Sequence, residues 1–389
     1  MSIEVLLASG PRRTLRLSPE PIGEGGQATV FTVDADPGVA VKLYHEPTAE
    51  LERRLESMLL LAHPDQFLSD DGTEHPALTW PAAMVKDVVS GEVIGYTMRR
   101  VRSPEFVPLG TLFNAAQRRQ HFADVSWRFL LGLARNLAGL VASVHERELV
   151  LGDVSHANIV VSQRGYVSLL DCDSMEFTDP RSGERFPCLF LTAEYAPPEL
   201  QRDPSIERSP RTDDFSVAIL VCRLLLVGDH THIGVRLGGG DEEADVAANI
   251  RDGYSHLVRP DEIGLPPGTF DARLLPPPVL DLAQRAFGPG HADPAARPRA
   301  EEWLAALDEA AGATATCAGR RYHVYSAHLA ACPWCERVAA GAPDAFPGPG
   351  AAPPTLPAPA RSAPAHRFDW RWAFVALIVV GLILLIVLA

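Results

Sequence analysis

The sequence predicts an α+β chain of two lobes, the first small and strand-rich, the second helical. Three observations predict it. Short alternating apolar runs, broken by glycine-containing turns, occupy the N-terminal quarter. A single helical segment, 127–146, is then apolar around so much of its circumference that it must be buried. Finally, 389 residues with 47% hydrophobic content suffice for more than one core. The net charge of −14 excludes a nucleic-acid binder, which needs a basic footprint. Six cysteines scattered over this length do not form a disulfide framework. Residues 1–17 mix charge with short apolar runs and so do not read as a signal peptide.

Taken in order, Ile3–Leu7 and Thr14–Leu17 alternate around a Gly-Pro turn and read as a hairpin, an extension over 1–14. Next comes a glycine-rich turn with Ile22, Gly23, Gly25 and Gly26, leading through Ala28 to Val30 and Phe31. Glycines there let backbone approach a phosphate without a Cβ in the way. Val39-Ala40-Val41-Lys42 follows as a strand whose lysine would meet phosphate oxygens, or would simply snorkel from an edge. The segment 48–61 is helical, with Leu51, Leu55, Met58 and Leu59 on one side. Glu52 and Glu56 lie one turn apart on it, and spacing leaves either able to reach Lys42, with Glu52 preferred. Residues 82–87 and 92–98 read as two more strands. After the helix at 127–146, two short apolar runs deliver Asp153, Asn158, Asp171 and Asp173 to turns. A carboxylate or amide in a turn is usually a turn former. Together they suit a site that holds a hydroxyl and a divalent cation near a phosphate.

The order of these features resembles the eukaryotic-like protein kinase family over residues 15–308. It runs from the glycine-rich loop through Lys42, an acidic helix, Gly152-Asp153 with Asn158 five residues on, and Asp171, to Tyr195-Ala-Pro-Pro-Glu199. Asp213 and Arg297 match that family's buried-aspartate and late-arginine helices. The resemblance implies a bilobal kinase-like fold and an ATP-dependent serine/threonine protein kinase. Ile22, Gly23, Gly25 and Gly26 would cover the nucleotide, with Ala28 where the family has a third glycine. Lys42, oriented by Glu52 or Glu56, would hold the α- and β-phosphates. Asp153 would orient the substrate hydroxyl, and Asn158 and Asp171 would bind Mg2+ or Mn2+. Val30, Ala40 and Val160 would sandwich the adenine, and backbone near Met98 to Arg100 would bond its edge. Thr192 would bond Asp153, Glu199 would pair with Arg297, and Asp213 would brace the catalytic loop.

Three positions depart from the family pattern. Gly152 replaces an arginine, so activity should not depend on phosphorylating the segment between Asp173 and Glu199. Ser155 replaces a lysine, which removes one cation from the transition state. Asp171-Cys172-Asp173 replaces Asp-Phe-Gly; Asp173 would add a metal ligand or repel phosphate. These departures suit an alternative, a nucleotide-binding pseudokinase scaffold. The Gly-Asp and Asp-Cys-Asp motifs are similar to those of a bacterial branch linked with tellurite-resistance-type systems. That resemblance implies a PP2C-type phosphatase and a von Willebrand A-domain protein as partners.

Beyond this body, Cys317, His323, Cys332 and Cys335 have the spacing of a structural zinc knuckle over 314–338, with His328 as a competing ligand. A redox pair is the alternative for the Cys-x-x-Cys, but no thioredoxin-like unit surrounds it. Residues 341–369 are nearly all Ala, Pro and Gly and read as a disordered linker. Trp370 and Trp372 then introduce an uncharged apolar run to the last residue, so 370–389 reads as a single transmembrane helix. Arg361, Arg367 and Arg371 on its N-terminal side would keep the kinase-like body cytoplasmic, at the cell membrane.

Overall fold

The computed structural model describes residues 3–7, 13–62, 75–102, 105–122, 125–238 and 245–349. The strand lobe comprises β1 (Ile3–Leu7), β2 (Thr14–Leu17), β3 (Gly23–Glu24), β4 (Ala28–Val33), β5 (Asp36–Tyr44), helix α1 (Ala49–Leu61), β6 (Pro81–Asp87) and β7 (Val93–Arg99). Its sheet runs β2-β1-β6-β7-β5-β4-β3, and a further pairing of Leu17 with Val33 joins β2 to β4, so the sheet curls back on itself. Alternation decides the two faces. Val5, Leu15, Leu17, Phe31, Val33, Val41 and Val85 fill the inside. Register places Val30 opposite Lys42, and Ala40 and Lys42 opposite Met98 and Tyr96, on the other face. The N-terminal hairpin is therefore part of this lobe rather than an extension: Val5, Leu6 and Leu7 pair with Asp87, Lys86 and Val85.

The helical lobe begins with β8 (Phe106–Pro108), α2 (Ala115–His121) and α3 (Trp127–His145), followed by the short pair β9 (Ile159–Ser162) and β10 (Val167–Leu169). Two small hairpin strands, β11 (Phe177–Thr178) and β12 (Arg185–Phe186), lead to α4 (Pro198–Arg202) and α5 (Pro210–Leu225). Then come β13 (Val235–Arg236), α6 (Val246–Asp252), β14 (Ile263–Gly264), α7 (Pro277–Phe287), α8 (Pro289–Ala292) and α9 (Ala300–Gly312). Helix α3 buries Trp127, Leu130, Leu131, Leu133, Leu137, Val141 and Val144, which is why it reads as apolar almost all round. Each such leucine contributes about 1.5–3 kcal/mol of transfer free energy. Helix α5 is buried on every side and begins at a Ser209–Thr212 capping box with Pro210 in its first turn.

A last module packs onto this lobe: β15 (Thr314–Thr316) pairs with β16 (Val324–Ser326), and α10 (Pro333–Ala339) follows. The stretch after it departs from the sequence expectation. Composition placed 341–349 in the linker, yet Phe346 is buried edge-on against Trp334, 4.7 Å between centroids. Arg118 and Arg119 of α2 donate to the carbonyls of Ala345 at 3.3 Å and Asp344 at 2.6 Å. The buried ring and these two arginines together hold the strap against the lobe. The rest of the expected linker and the expected membrane helix at 370–389 lie outside the described residues. Among the described residues no helix is long and apolar enough to cross a membrane.

Candidate active site

Of the residues singled out from the sequence, Lys42, Asp153, Asn158 and Asp171 come together between the two lobes. Asp153, Ser155, Asn158 and Asp171 line one small cavity with Met175. Asp153 sits after Gly152 on the loop between α3 and β9, and that loop is held from behind. The carboxylate of Asp213, at the start of α5, accepts from the backbone N–H of Leu151 at 2.8 Å and of Gly152 at 2.9 Å. The same carboxylate meets His145 Nε2 at 3.0 Å. Asp153 in turn accepts from Thr192, whose N–H is 2.8 Å from Oδ1 and whose hydroxyl is 3.1 Å from Oδ2. Asn158 Nδ2 donates to the Asp153 carbonyl at 3.1 Å. Asp171 adopts a left-handed backbone (φ 54°) and exposes half of its side chain to the cleft. An exposed carboxylate and an amide on one cavity make a fitting set for a hard divalent cation.

Lys42 is where the structure overturns the sequence expectation. Neither Glu52 nor Glu56 is its partner: Glu52 lies 3.8 Å from Lys86, and Glu56 faces solvent. Instead Lys42 Nζ donates to Asp171 at 3.1 Å and to both oxygens of Asp173 at 2.9 and 3.0 Å. Asp173 also accepts from Tyr96 at 2.6 Å and from Tyr44. The reason is helical phase. The face of α1 turned inward carries Leu51, Arg54, Leu55 and Met58, and positions 52 and 56 fall outside it. Arg54 uses the inward position, donating to the carbonyls of Asp173 at 3.0 Å, Met175 at 2.8 Å and Pro187 at 2.6 Å.

Burial alone would strip the charge from both Lys42 and Asp173. For Lys42 the attraction of Asp173 and Asp171 outweighs it and holds the pKa above its ordinary value. For Asp173 the Lys42 ammonium and the two tyrosine hydroxyls outweigh it and hold the pKa below. Both groups are therefore ionised, as a buried pair with every lone pair engaged. Asp173 is thus neither a free repulsive charge nor open to a cation.

The glycine-rich turn is built as a β3–β4 hairpin closed by Gly25 N–H to Ala28 at 2.9 Å and Ile22 N–H to Val30 at 2.8 Å. A Cβ on Gly26 would meet nothing within 4 Å, which leaves the space beneath the turn open. A cleft of about 560 Å3 runs past Gly26, Tyr44, Glu50, Arg54, Asp173 and Phe190. Val30, Ala40 and Met98 share the Lys42 face of the sheet, and Val160 lies on β9. The N–H of Arg100 is consumed by Gly38 O at 2.8 Å, so it is not free to bond a ligand edge.

The segment from Asp173 to Glu199 is tied down through its backbone. Besides Arg54, Arg208 donates to the carbonyls of Cys188 and, at 2.6 Å, Phe190. Gly152 makes that possible. It has φ +79°, and a Cβ there would stand 2.6 Å from Cys188 Cβ and 3.2 Å from Arg208 Cδ. At the segment's end Arg297, fully buried, makes a bidentate pair with Glu199, both contacts 2.7 Å. Ser155 is also fully buried, and its hydroxyl has no hydrogen-bond partner among the described residues.

Cys317, His323, Cys332 and Cys335 bring their ligand atoms within 4.8 Å of one another. Cys317 and Cys335 sulfurs are 3.7 Å apart, and His323 Nδ1 is 3.5 and 3.4 Å from those of Cys332 and Cys335. Sequence reasoning missed Asp344, which takes the other ring nitrogen of His323 at 3.0 Å. It lies in a stretch that composition made look featureless. His328 is engaged elsewhere, by Ser326 at 2.8 Å and Arg273 O at 3.0 Å.

No family model matches the chain. It is 31% identical over 340 residues to Protein kinase YegI of Escherichia coli (strain K12), covering 86% of this chain and 50% of that protein. The counterpart in Escherichia coli O157:H7 is 32% identical over 320 residues, 81% and 48%. The chain thus spans about half the length of the curated relatives it matches. Among solved structures it is similar to the ROP18 kinase domain in complex with AMP-PNP and sucrose, at 20% identity and TM-score 0.50, covering 79% of this chain and 83% of that one. It is also similar to a rhoptry kinase from Toxoplasma gondii, at 14% and 0.51, covering 79% and 82%. Two lobes, a lysine strand facing a two-carboxylate cleft, and solved neighbours of this kind together give the chain a protein kinase-like fold.

Proposed function

We propose that this chain is an ATP-dependent serine/threonine protein kinase of Gly-Asp type, held at the cell membrane by its C-terminal segment. The observation that carries the reading is that Asp153, Asn158 and Asp171 line one cavity and Lys42 donates to Asp171 at 3.1 Å, with Thr192 fixing the Asp153 carboxylate. Asp153 orients a substrate hydroxyl and takes its proton as the oxygen attacks the γ-phosphorus. The bond from that phosphorus to the β,γ-bridging oxygen breaks, and ADP leaves. Lys42 holds the nucleotide phosphates from above. Asn158 and Asp171 would hold Mg2+ or Mn2+, which supplies neutralisation of phosphate charge. Arg54 and Arg208 hold the following segment through carbonyls, so no phosphate on that segment is required for order.

A second reading, the nucleotide-binding scaffold, draws on the same pocket: Lys42 is engaged by Asp173, and Ser155 offers no cation. Transfer of labelled phosphate from ATP by the full chain, with magnesium and manganese in turn, separates the two. Wild-type protein should exceed both Asp153→Ala and Asp171→Asn by about a hundredfold or more. Equal labelling of all three would leave only the scaffold.

The reading includes a structural zinc ion at Cys317, His323, Cys332 and Cys335. Its support is that three of the separations, 3.7, 3.5 and 3.4 Å, lie close to tetrahedron edges of about 3.5–3.8 Å, which follow from Zn–S near 2.3 Å and Zn–N near 2.0 Å. Asp344 would fix the His323 tautomer from outside. Purified wild type should carry one zinc per chain and Cys332→Ser far less; equal content in both would remove the site. By the resemblance, a PP2C-type phosphatase and a von Willebrand A-domain protein are the partners proposed alongside protein substrates.

A further inference from the structure

We infer that Asp173 is the positioning residue of Lys42, in place of a carboxylate on helix α1, and that Tyr44 and Tyr96 exist to hold it there. The inference rests on the nucleotide site of the reading above and deepens it.

A lysine that must meet phosphate needs an anionic partner to fix its stem. None of the three carboxylates on α1 contacts Lys42: Glu52 lies 3.8 Å from Lys86, and Glu50 and Glu56 are exposed. Asp173 has the required properties. Its side chain is 6% exposed, both its oxygens lie within 3.0 Å of Lys42 Nζ, and Tyr96 and Tyr44 donate to one oxygen each. The four side chains come from β5, β7 and the turn after β10, with no atom from α1. Helix α1 contributes only Arg54, which grips the Asp173 carbonyl and so fixes the backbone that carries the carboxylate. Two positions before it, Asp171 touches the same ammonium at 3.1 Å. One rigid turn therefore sets the lysine and the cleft carboxylate together. In this wiring α1 acts on Lys42 only through the Arg54 grip on the Asp173 carbonyl, not through a carboxylate of its own.

The test is a double-mutant cycle on the full chain, read as the Kd of a fluorescent ATP analogue with magnesium and as kcat and KM for phosphoryl transfer. Asp173→Asn should weaken analogue binding about tenfold, Lys42→Met by a similar factor, and the double variant no further, because both remove one interaction. Tyr96→Phe, which keeps the shape and the fold, should weaken binding by about threefold. Glu52→Gln and Glu56→Gln should leave Kd and KM unchanged. Additive losses in the double variant, an unchanged Tyr96→Phe, or a Glu52→Gln effect equal to that of Asp173→Asn would each overturn the assignment. Wild-type protein that binds the analogue but transfers no phosphate would overturn the kinase reading alone. Failure of wild type to bind it would overturn both.

Discussion

In the helical lobe, Arg297 grips Glu199 with two parallel contacts, Asp213 holds two backbone amides, and Thr192 caps Asp153. Each partner was legible from the sequence. In the strand lobe, Lys42 turns from the expected helix glutamate to an aspartate 131 residues downstream. The contrast teaches where substitution is tolerated. The helical-lobe pairs are locked by core on several sides, so one partner cannot move without an uncompensated buried charge. The lysine pair is buried too, but its carboxylate reaches Lys42 from the turn after β10 and not from α1, so the element that supplies the acid can differ while the pair is kept.

Substitutions can break or sharpen this contrast. The largest stability effect belongs to the helical lobe. Arg297→Ala should cost about 3–5 kcal/mol in urea unfolding, because Glu199 would be left unpaired and Gly290 O and Arg211 O would lose a donor. A loss below 1 kcal/mol would mean the pair is not the clamp it looks to be. Arg208→Ala should cost less, about 1.5–3 kcal/mol for its charged bonds to carbonyls. It should also raise protease cleavage between 187 and 191, whereas phosphatase treatment of the wild type should leave its transfer rate unchanged. A phosphatase-sensitive rate would show that the segment's order needs a phosphate after all.

The smallest effect is on pH dependence. Burial pulls the His145 pKa down, but its bond to Asp213 and the charges of Asp213, Asp214 and Glu301 outweigh that, so the folded value lies above 6.5. A raised histidine stabilises fully below its unfolded pKa and loses that contribution as pH rises through the folded value. Unfolding free energy measured upward from pH 6.5 should therefore fall, and His145→Gln should flatten this stretch of the profile. A profile of equal slope in both proteins would place the pair's contribution elsewhere.

The limits of the sequence follow from the same geometry. Spacing left Glu52 and Glu56 open as partners of Lys42, because periodicity gives a helix's stripe and not its rotation against the cleft. Only packing showed that Arg54 faces inward. Arg208 was invisible for a different reason. It fills space opened by Gly152, 56 positions earlier, and a compensation between distant loops leaves no local pattern. The hairpin at β1–β2 was recognised, but its edge pairing to β6 is a non-local contact. Asp344 and Phe346 were lost in a composition that normally forms no core. In contrast, Asp153, Asn158, Asp171 and the Cys/His cluster were readable because short-range spacing fixes which side chains share a turn.

Gly152, finally, constrains what substitution can undo. An arginine at this position would need a left-handed backbone and would drive its Cβ into Cys188 and Arg208. Residues 152, 188 and 208 are therefore epistatic. An arginine at 152 would sit unstrained only if both neighbours gave way and the backbone there left its left-handed conformation.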